Sequence, residues 1–355
     1  LCQRLGVVGL WMVMVLCGGA SAFLNNTPIV VLAAPVVRDV ARSMGLSPKR
    51  FLIPLSYITI MGGSCTLIGT STNLLVNDMA RSAGQPVFGL FDVTPVALVV
   101  ALAGGIYLFL FGDRLLARSA AGDDGPDPLS SRQALEGAMA DPSSGVGDPR
   151  LFAEQRPLNL RKAITALVVF VGVVVVAALG WAPIAASAFT GAVLLVLLGT
   201  IGPDEAYRGL RPEILLLIAG MVVVGLSLEV SGLAALATNG LVAWIQDLGP
   251  VMGLILLYGV TLFLTEILSN AAVAVLITPV AVALAESLGV SPKPFLIGVM
   301  IAASAAFATP FGYQTNVLVF QMGGYSYMDF VRVGVPLNFI TWAVAVAAIP
   351  VFFPF

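Results

Sequence analysis

The chain has 355 residues, of which 59% are hydrophobic and 10% charged, with a net charge of −2 and no histidine. A soluble domain carries about 25% charged residues, so this composition belongs to a bilayer, and the near-neutral balance excludes a nucleic-acid binder. The absence of histidine removes the commonest general base and metal ligand, and Cys2, Cys17 and Cys65 form no disulfide or zinc pattern.

In chain order, apolar segments at 5–22 and 28–41 flank Asn25-Asn26-Thr27. Each arm is short for a span of about 20 residues, so the pair predicts a helical hairpin that enters the membrane and turns back. Segment 51–68 runs into Gly69-Thr70-Ser71-Thr72-Asn73, a polar patch that predicts a transmembrane helix broken at depth. Segment 93–112 is a plain span. Residues 119–162 are rich in Gly, Asp, Pro and Ser and read as an aqueous linker. Spans follow at 163–180, 183–201 and 213–231, and residues 233–247 suit a short helix lying at the interface. Segments 250–268 and 271–285 then flank Ser269-Asn270-Ala271, segment 295–309 runs into a second polar break at Thr309–Asn316, and 335–353 is the last span.

The second half repeats the first. Residues 23–54 return as 267–298, with Pro35 and Pro279, Gly45 and Gly289, and Ser-Pro-Lys-x-Phe-Leu-Ile in register. After one residue of slip, 69–76 aligns with 312–319. Leu5-Gly6 aligns with Leu248-Gly249, yet the apolar segments before Leu248 have no counterpart before Leu5. The repeat therefore predicts about three further spans ahead of residue 1, missing from this sequence. Basic residues set the orientation. The loop with Arg38, Arg42, Lys49 and Arg50 belongs inside, and its partner, with Lys293 and Glu286, outside. Continuing the crossings places Arg114, Arg118, Arg161, Lys162, Arg208, Arg211 and Arg332 inside as well, which makes the repeats inverted. The expected architecture is an all-α integral membrane protein. It divides into a first repeat (1–118), a linker (119–162), scaffold spans (163–249) and a second hairpin with its broken helix and last span (250–355).

The polar patches carry the chemistry. Helix N-termini present N–H groups to anions, and freed carbonyls coordinate cations. Asn, Ser and Thr add oxygens for a hard cation and donors for a carboxylate or sulfate. Ser21 and Thr265 lie four residues before Asn25 and Ser269, which places a hydroxyl one helical turn below each tip. Singly, such patches glue helices together or kink them. Occurring as a matched pair, they point to a binding site. Glu266 is an intramembrane acid whose repeat counterpart is Ala22, so it stands outside the symmetric site and suits a structural or gating role. With no basic residue near the tips, an anion's charge must be met by helix dipoles, amides, hydroxyls and bound cations.

These residues resemble the divalent-anion–sodium symporters of the citrate-transporter-like ion transporter superfamily. That family carries paired Ser-Asn-Thr tips on two opposed re-entrant hairpins, and the stretches GTSTNLLV (69–76) and AASAAFATPFGYQTNVLVF (302–320) are similar to its bacterial members. The resemblance implies an elevator-type transporter in a bacterial plasma membrane, with sodium as coupling ion, a homodimeric scaffold, no cofactor and no enzyme activity. It implies one sodium held by Ser21, Asn25, Asn26, Gly69 and Asn73, and another by Thr265, Ser269, Asn270, Pro310 and Asn316. Substrate oxygens would meet Asn26, Thr27, Thr70, Asn270 and Thr309. Asn25 stands where the family has Ser, and Ala271 where it has Thr. The resemblance implies a divalent anion, sulfate or a C4-dicarboxylate, as substrate, and the lost hydroxyl, one that a dicarboxylate would use, points to a smaller or asymmetrically bound anion such as sulfate. A proton-coupled or exporting carrier of the same superfamily is the alternative, and the linker is too short for the cytosolic regulatory domains of many relatives.

Overall fold

The computed structural model describes residues 2–112, 114–116, 159–209, 249–355 and isolated positions between 219 and 232. The linker up to residue 158, most of the span at 213–231 and the interfacial helix at 233–247 lie outside the described residues.

The first half opens with α1 (Cys2–Ser21) and α2 (Asn26–Ser43), joined by a tight turn. α3 (Lys49–Gly63) and α4 (Ser71–Ser82) follow, separated by a non-helical stretch, and then α5 (Thr94–Tyr107), which continues as a π-turn through Gly112. After the gap come α6 (Leu160–Ala178), α7 (Ile184–Leu197) and the short α8 (Pro203–Gly209). The second half repeats the opening: α9 (Gly249–Thr265), a turn, α10 (Asn270–Leu288), α11 (Lys293–Ser304), a break, α12 (Gln314–Gly323), and finally α13 (Tyr327–Phe352). Two differences from expectation have local causes. The Asn159 side chain caps α6, accepting from Lys162 N, so the helix starts inside the stretch read as linker. Ser326 and Asp329 form a capping box, so α13 begins eight residues before the apolar run at 335.

Backbone conformation follows the repeat. Gly45 (φ 71°) and Gly289 (φ 65°) both turn the chain out of a return arm through the left-handed region, where a side chain is strained. The turn between the arms ends at Asn25 in one half and Ser269 in the other, and each caps the helix that follows. Asn25 accepts from Thr27 N at 3.1 Å and Ser269 from Ala272 N at 3.3 Å.

The packing is reciprocal. α1, α2 and α3 contact one another as α9, α10 and α11 do. Across the halves, α12 packs on α2 and α3, while α4 packs on α10 and α11. α5 packs on α3 and α13 on α11, and α5 and α13 pack on each other. The loop after each broken helix also reaches the other half. The Tyr325 hydroxyl donates to the Lys49 carbonyl, and the Phe88 ring sits 5.8 Å from the Lys293 ammonium. The repeated Ser-Pro-Lys thus starts a helix that receives an aromatic ring from the opposite half.

Among the described residues, four helices are long and apolar enough to cross a membrane: Thr94–Gly112, Leu160–Ala178, Asn270–Leu288 and Tyr327–Phe352. The third is a hairpin arm and is longer than the sequence pattern predicts, because Asn270 opens it and Glu286, Ser287 and Leu288 extend it; more than half of its span window is buried inside the protein. α6 and α7 pack together and leave Ile164, Leu167, Val168 and Phe189 exposed.

Candidate functional site

In the first half, Asn26 opens α2 and is buried, 1% exposed. Its Oδ1 accepts from the Ser21 hydroxyl, and its Nδ2 donates to the Tyr313 hydroxyl at 2.7 Å. The Ser21 hydroxyl therefore serves Asn26, five residues on. The single-turn spacing to Asn25 does not decide the contact, because the turn rotates Asn25 away to cap α2. Thr27 donates to Gln314 Oε1 at 2.8 Å. Thr70 precedes α4 and lies 3.4 Å from the Tyr313 hydroxyl.

Gly69 sits where carbonyl oxygens converge. A methyl group placed there would lie 2.2 Å from the Gly63 oxygen, 2.7 Å from that of Ala22 and 2.8 Å from that of Ser21. These carbonyls belong to the C-terminal ends of α1 and α3, which leave them without helical partners. Asn73 bridges the break by donating to the carbonyls of Thr66 (2.9 Å) and Ser64 (3.4 Å). Its own Oδ1 is buried and unpartnered. A shell of main-chain and amide oxygens without acidic groups suits a hard monovalent cation.

The second half reproduces this plan. Thr265 donates to Asn270 Oδ1 at 2.7 Å, the counterpart of Ser21 with Asn26. Asn316 bridges its break by donating to the carbonyls of Ala306 (2.8 Å) and Thr309 (3.3 Å), as Asn73 does. Pro310 is buried within this break, while Ser269 and Asn270 are half-buried. A pairing the sequence reading missed is Thr66 with Thr309. Thr66 donates to the Ala22 carbonyl and accepts from Gly69 N; Thr309 contacts the Glu266 carbonyl (3.3 Å) and accepts from Gly312 N (3.0 Å). The signal was present, since the slip of one residue that aligns the two Gly-x-x-Thr-Asn runs also aligns these threonines. Thr309, expected among the substrate donors, donates to Glu266 Oε2 at 2.8 Å.

The two halves meet at the second break, where Tyr313 touches the first tip and Thr70 while Thr309 touches Glu266, at the end of the arm that leads to the second tip. The starts of α2, α4 and α12 meet through Asn26 with Tyr313, Thr27 with Gln314 and Thr70 with Tyr313, which gathers three positive N-terminal ends, and α10 begins at the second tip. Four helices end here, α1, α3, α9 and α11, and turn carbonyls toward the same region. One region thus offers N–H groups to an anion and carbonyls to cations.

Comparison with known proteins gives the family and the fold. The citrate transporter (CitMHS) family model matches residues 5–291 and 267–355, and the two matches overlap over the tip and return arm of the second hairpin. The chain belongs to the citrate transporter family. It is a multi-pass integral membrane transporter and not an enzyme. An uncharacterized transporter of Synechocystis sp. is 28% identical over 91% of this chain and 79% of its own length. That alignment runs to 483 residues, more than the 355 of this chain, so the relative carries internal segments absent here. Sodium/sulfate cotransporter 1 of Chlamydomonas reinhardtii is 34% identical over 44% of this chain and 18% of its own length. The YdaH transporter of Alcanivorax borkumensis shares the fold, with a TM-score of 0.61 at 14% identity over 98% of this chain and 78% of that one.

Proposed function

We propose that this family member is a sodium-coupled symporter of a small divalent oxyanion, with sulfate the first candidate and a C4-dicarboxylate the second. The observation that carries the reading is the paired construction at one place: two hairpin tips and two broken helices, with N-terminal ends for an anion and three carbonyls around Gly69 for a cation. Ser21, Asn25, Asn26, Gly69 and Asn73 serve the first sodium, and Thr265, Ser269, Asn270, Pro310 and Asn316 the second. Asn26, Thr27, Thr70 and Asn270 face the anion, and Thr309 contributes through its neighbours. The side chains assembled at the tips carry no positive charge, so the cations supply what the dipoles do not. The sodium/sulfate name of the Chlamydomonas relative supports the same reading. The two repeats are inverted in the membrane and move as one transport unit, 1–118 with 250–355. They move against scaffold spans within 163–249, whose exposed apolar helices α6 and α7 face lipid or a second copy.

The test is radiolabelled sulfate and succinate uptake into proteoliposomes, with and without a sodium gradient. Sodium-driven uptake of either anion is the expected result, and Asn26→Ala or Asn270→Ala reduces it about 100-fold or more, since each removes a hydrogen-bonded tip residue. Uptake indifferent to sodium would instead favour a proton-coupled carrier, and outward transport an exporter.

Tyr313 bears on which anion fits. Its repeat counterpart is Thr70, so a phenol fills one side of the site where the other side has a small hydroxyl. Together with Ala271, which withholds a donor, this favours a compact tetrahedral anion over an extended one. Tyr313→Thr is expected to lower sulfate affinity about tenfold by removing a polar contact, and to let succinate compete with sulfate uptake. A competition curve unchanged from the parent protein would remove Tyr313 as the determinant.

A further inference from the structure

Glu266 breaks the symmetry that organises the rest of the site. Where Thr66 reaches only a main-chain carbonyl at Ala22, Thr309 reaches both the Glu266 carbonyl and its side chain. The Glu266 carboxyl group collects three donors: Ala308 N at 2.7 Å, Asn338 Nδ2 at 2.7 Å and the Thr309 hydroxyl at 2.8 Å. An ionised carboxylate accepts all three, whereas a protonated acid would turn a donor of its own toward one of them.

The floors of the two breaks differ in the same sense. A methyl group on Gly69 would meet three main-chain carbonyls, but on Gly312 it would meet the Thr309 hydroxyl at 2.8 Å and Glu266 Oε2 at 3.1 Å. The bridging asparagines differ as well. Asn73 Oδ1 is buried and unpartnered, while Asn316 Oδ1 accepts from Ser56 at 2.7 Å. By the repeat, the residue equivalent to Ser56 is Met300, which has no hydroxyl to offer Asn73. The first half therefore keeps an amide oxygen available, and the second has used its own and has a carboxylate beside it instead. Asn338 Oδ1 is buried without a partner next to this carboxylate.

We infer that the two ion positions are chemically unequal: neutral oxygens hold the first ion, whereas the fixed negative charge of Glu266, positioned by Asn338, holds the second. The inference rests on the symporter reading. A monovalent cation at the second position neutralises that charge, and one at the first adds a net positive charge. The anion is thus drawn chiefly by the first ion and the helix N-termini, and the second tip repels it until its own ion has bound. Glu266 acts here as a positioning residue for the break and as the source of charge.

The protein purified in detergent is titrated with NaCl, with choline chloride holding ionic strength, and the thermal unfolding midpoint is followed alongside uptake. For Glu266→Gln the half-saturating sodium concentration rises about tenfold or more, as loss of one charge near an ion requires, and the Hill coefficient falls. Asn338→Ala shifts the titration in the same direction by less, Glu266→Asp recovers part of the loss, and Asn73→Ala weakens the other binding step. A Glu266→Gln protein that titrates like the parent overturns the inference, whatever its yield or midpoint. Should that variant fail to fold, a parental titration for Asn338→Ala overturns it equally. A parent protein that sodium neither stabilises nor drives defeats the symporter reading itself, and that failure is recognised because it appears before any substitution.

Discussion

Gly69→Ala is expected to yield a protein that reaches the membrane, gains no stability from sodium through its first site and takes up no anion above background. The methyl group would stand 2.2 Å from the Gly63 oxygen, inside the carbonyl cluster at the ends of α1 and α3. Those oxygens are main-chain atoms and cannot rotate away as a side chain would. Thr66 adds to the rigidity by tying the turn at Ala22 and the Gly69 amide together. The break must open, and the oxygens then no longer converge on one ion. A loss of about 100-fold in uptake follows if coupling needs both ions, since a misplacement of about 1 Å at a positioned site costs that much. Gly19→Ala, whose methyl group meets nothing within 4 Å, is the control and retains parental uptake. Sodium-dependent uptake in Gly69→Ala at the parental level would mean that the first ion does not sit at this break.

Gly334→Ala is the second large effect, on assembly. At this point α13 crosses the second break so closely that a methyl group would lie 1.9 Å from the Phe307 oxygen, 2.3 Å from its carbon and 2.7 Å from Ala308 Cα. The Phe307 carbonyl is held from the other side by the Tyr57 hydroxyl, so the break cannot retreat. α13 must move instead, and it contacts α5, α9 and α11. Overpacking of this kind costs about 3 kcal/mol or more, and the unfolding midpoint is expected to fall by roughly 5–10 °C. Gly105→Ala, which meets nothing within 4 Å, leaves it unchanged.

Much of this was legible in the sequence because the chain states its plan twice. The hairpin arms, both breaks and the hydroxyls at Ser21 and Thr265 followed from matching apolar runs and from the register of one half against the other. Contacts between the halves did not follow, since a repeat alignment relates residues by equivalence and says nothing about proximity. Tyr313 and Gln314 align with Thr70 and Ser71, yet they touch Asn26 and Thr27. Ser21 and Thr265 bond Asn26 and Asn270, five residues on, because Asn25 and Ser269 leave the helix to cap the next one and spacing along an ideal helix stops being a guide there. Glu266 stands out in the sequence as an acid opposite Ala22, but its partner Asn338 lies 72 positions away on a helix with no polar pattern to single it out.

The reciprocal packing of α4 on α10 and α11, and of α12 on α2 and α3, also sets a schedule for synthesis. When Ser82 has been made, the surfaces that α4 will cover do not yet exist; they begin only at Asn270. At ordinary elongation rates the intervening stretch takes roughly 10–40 s. For that time the polar break between Gly63 and Ser71 has only its own half to shelter it. The first half must wait in the membrane, with its carbonyls wetted or held by an insertion factor, until the second half arrives to close over it. A ribosome pausing between the two halves would prolong that exposure, so quality-control proteases should cut this protein preferentially in its half-made form.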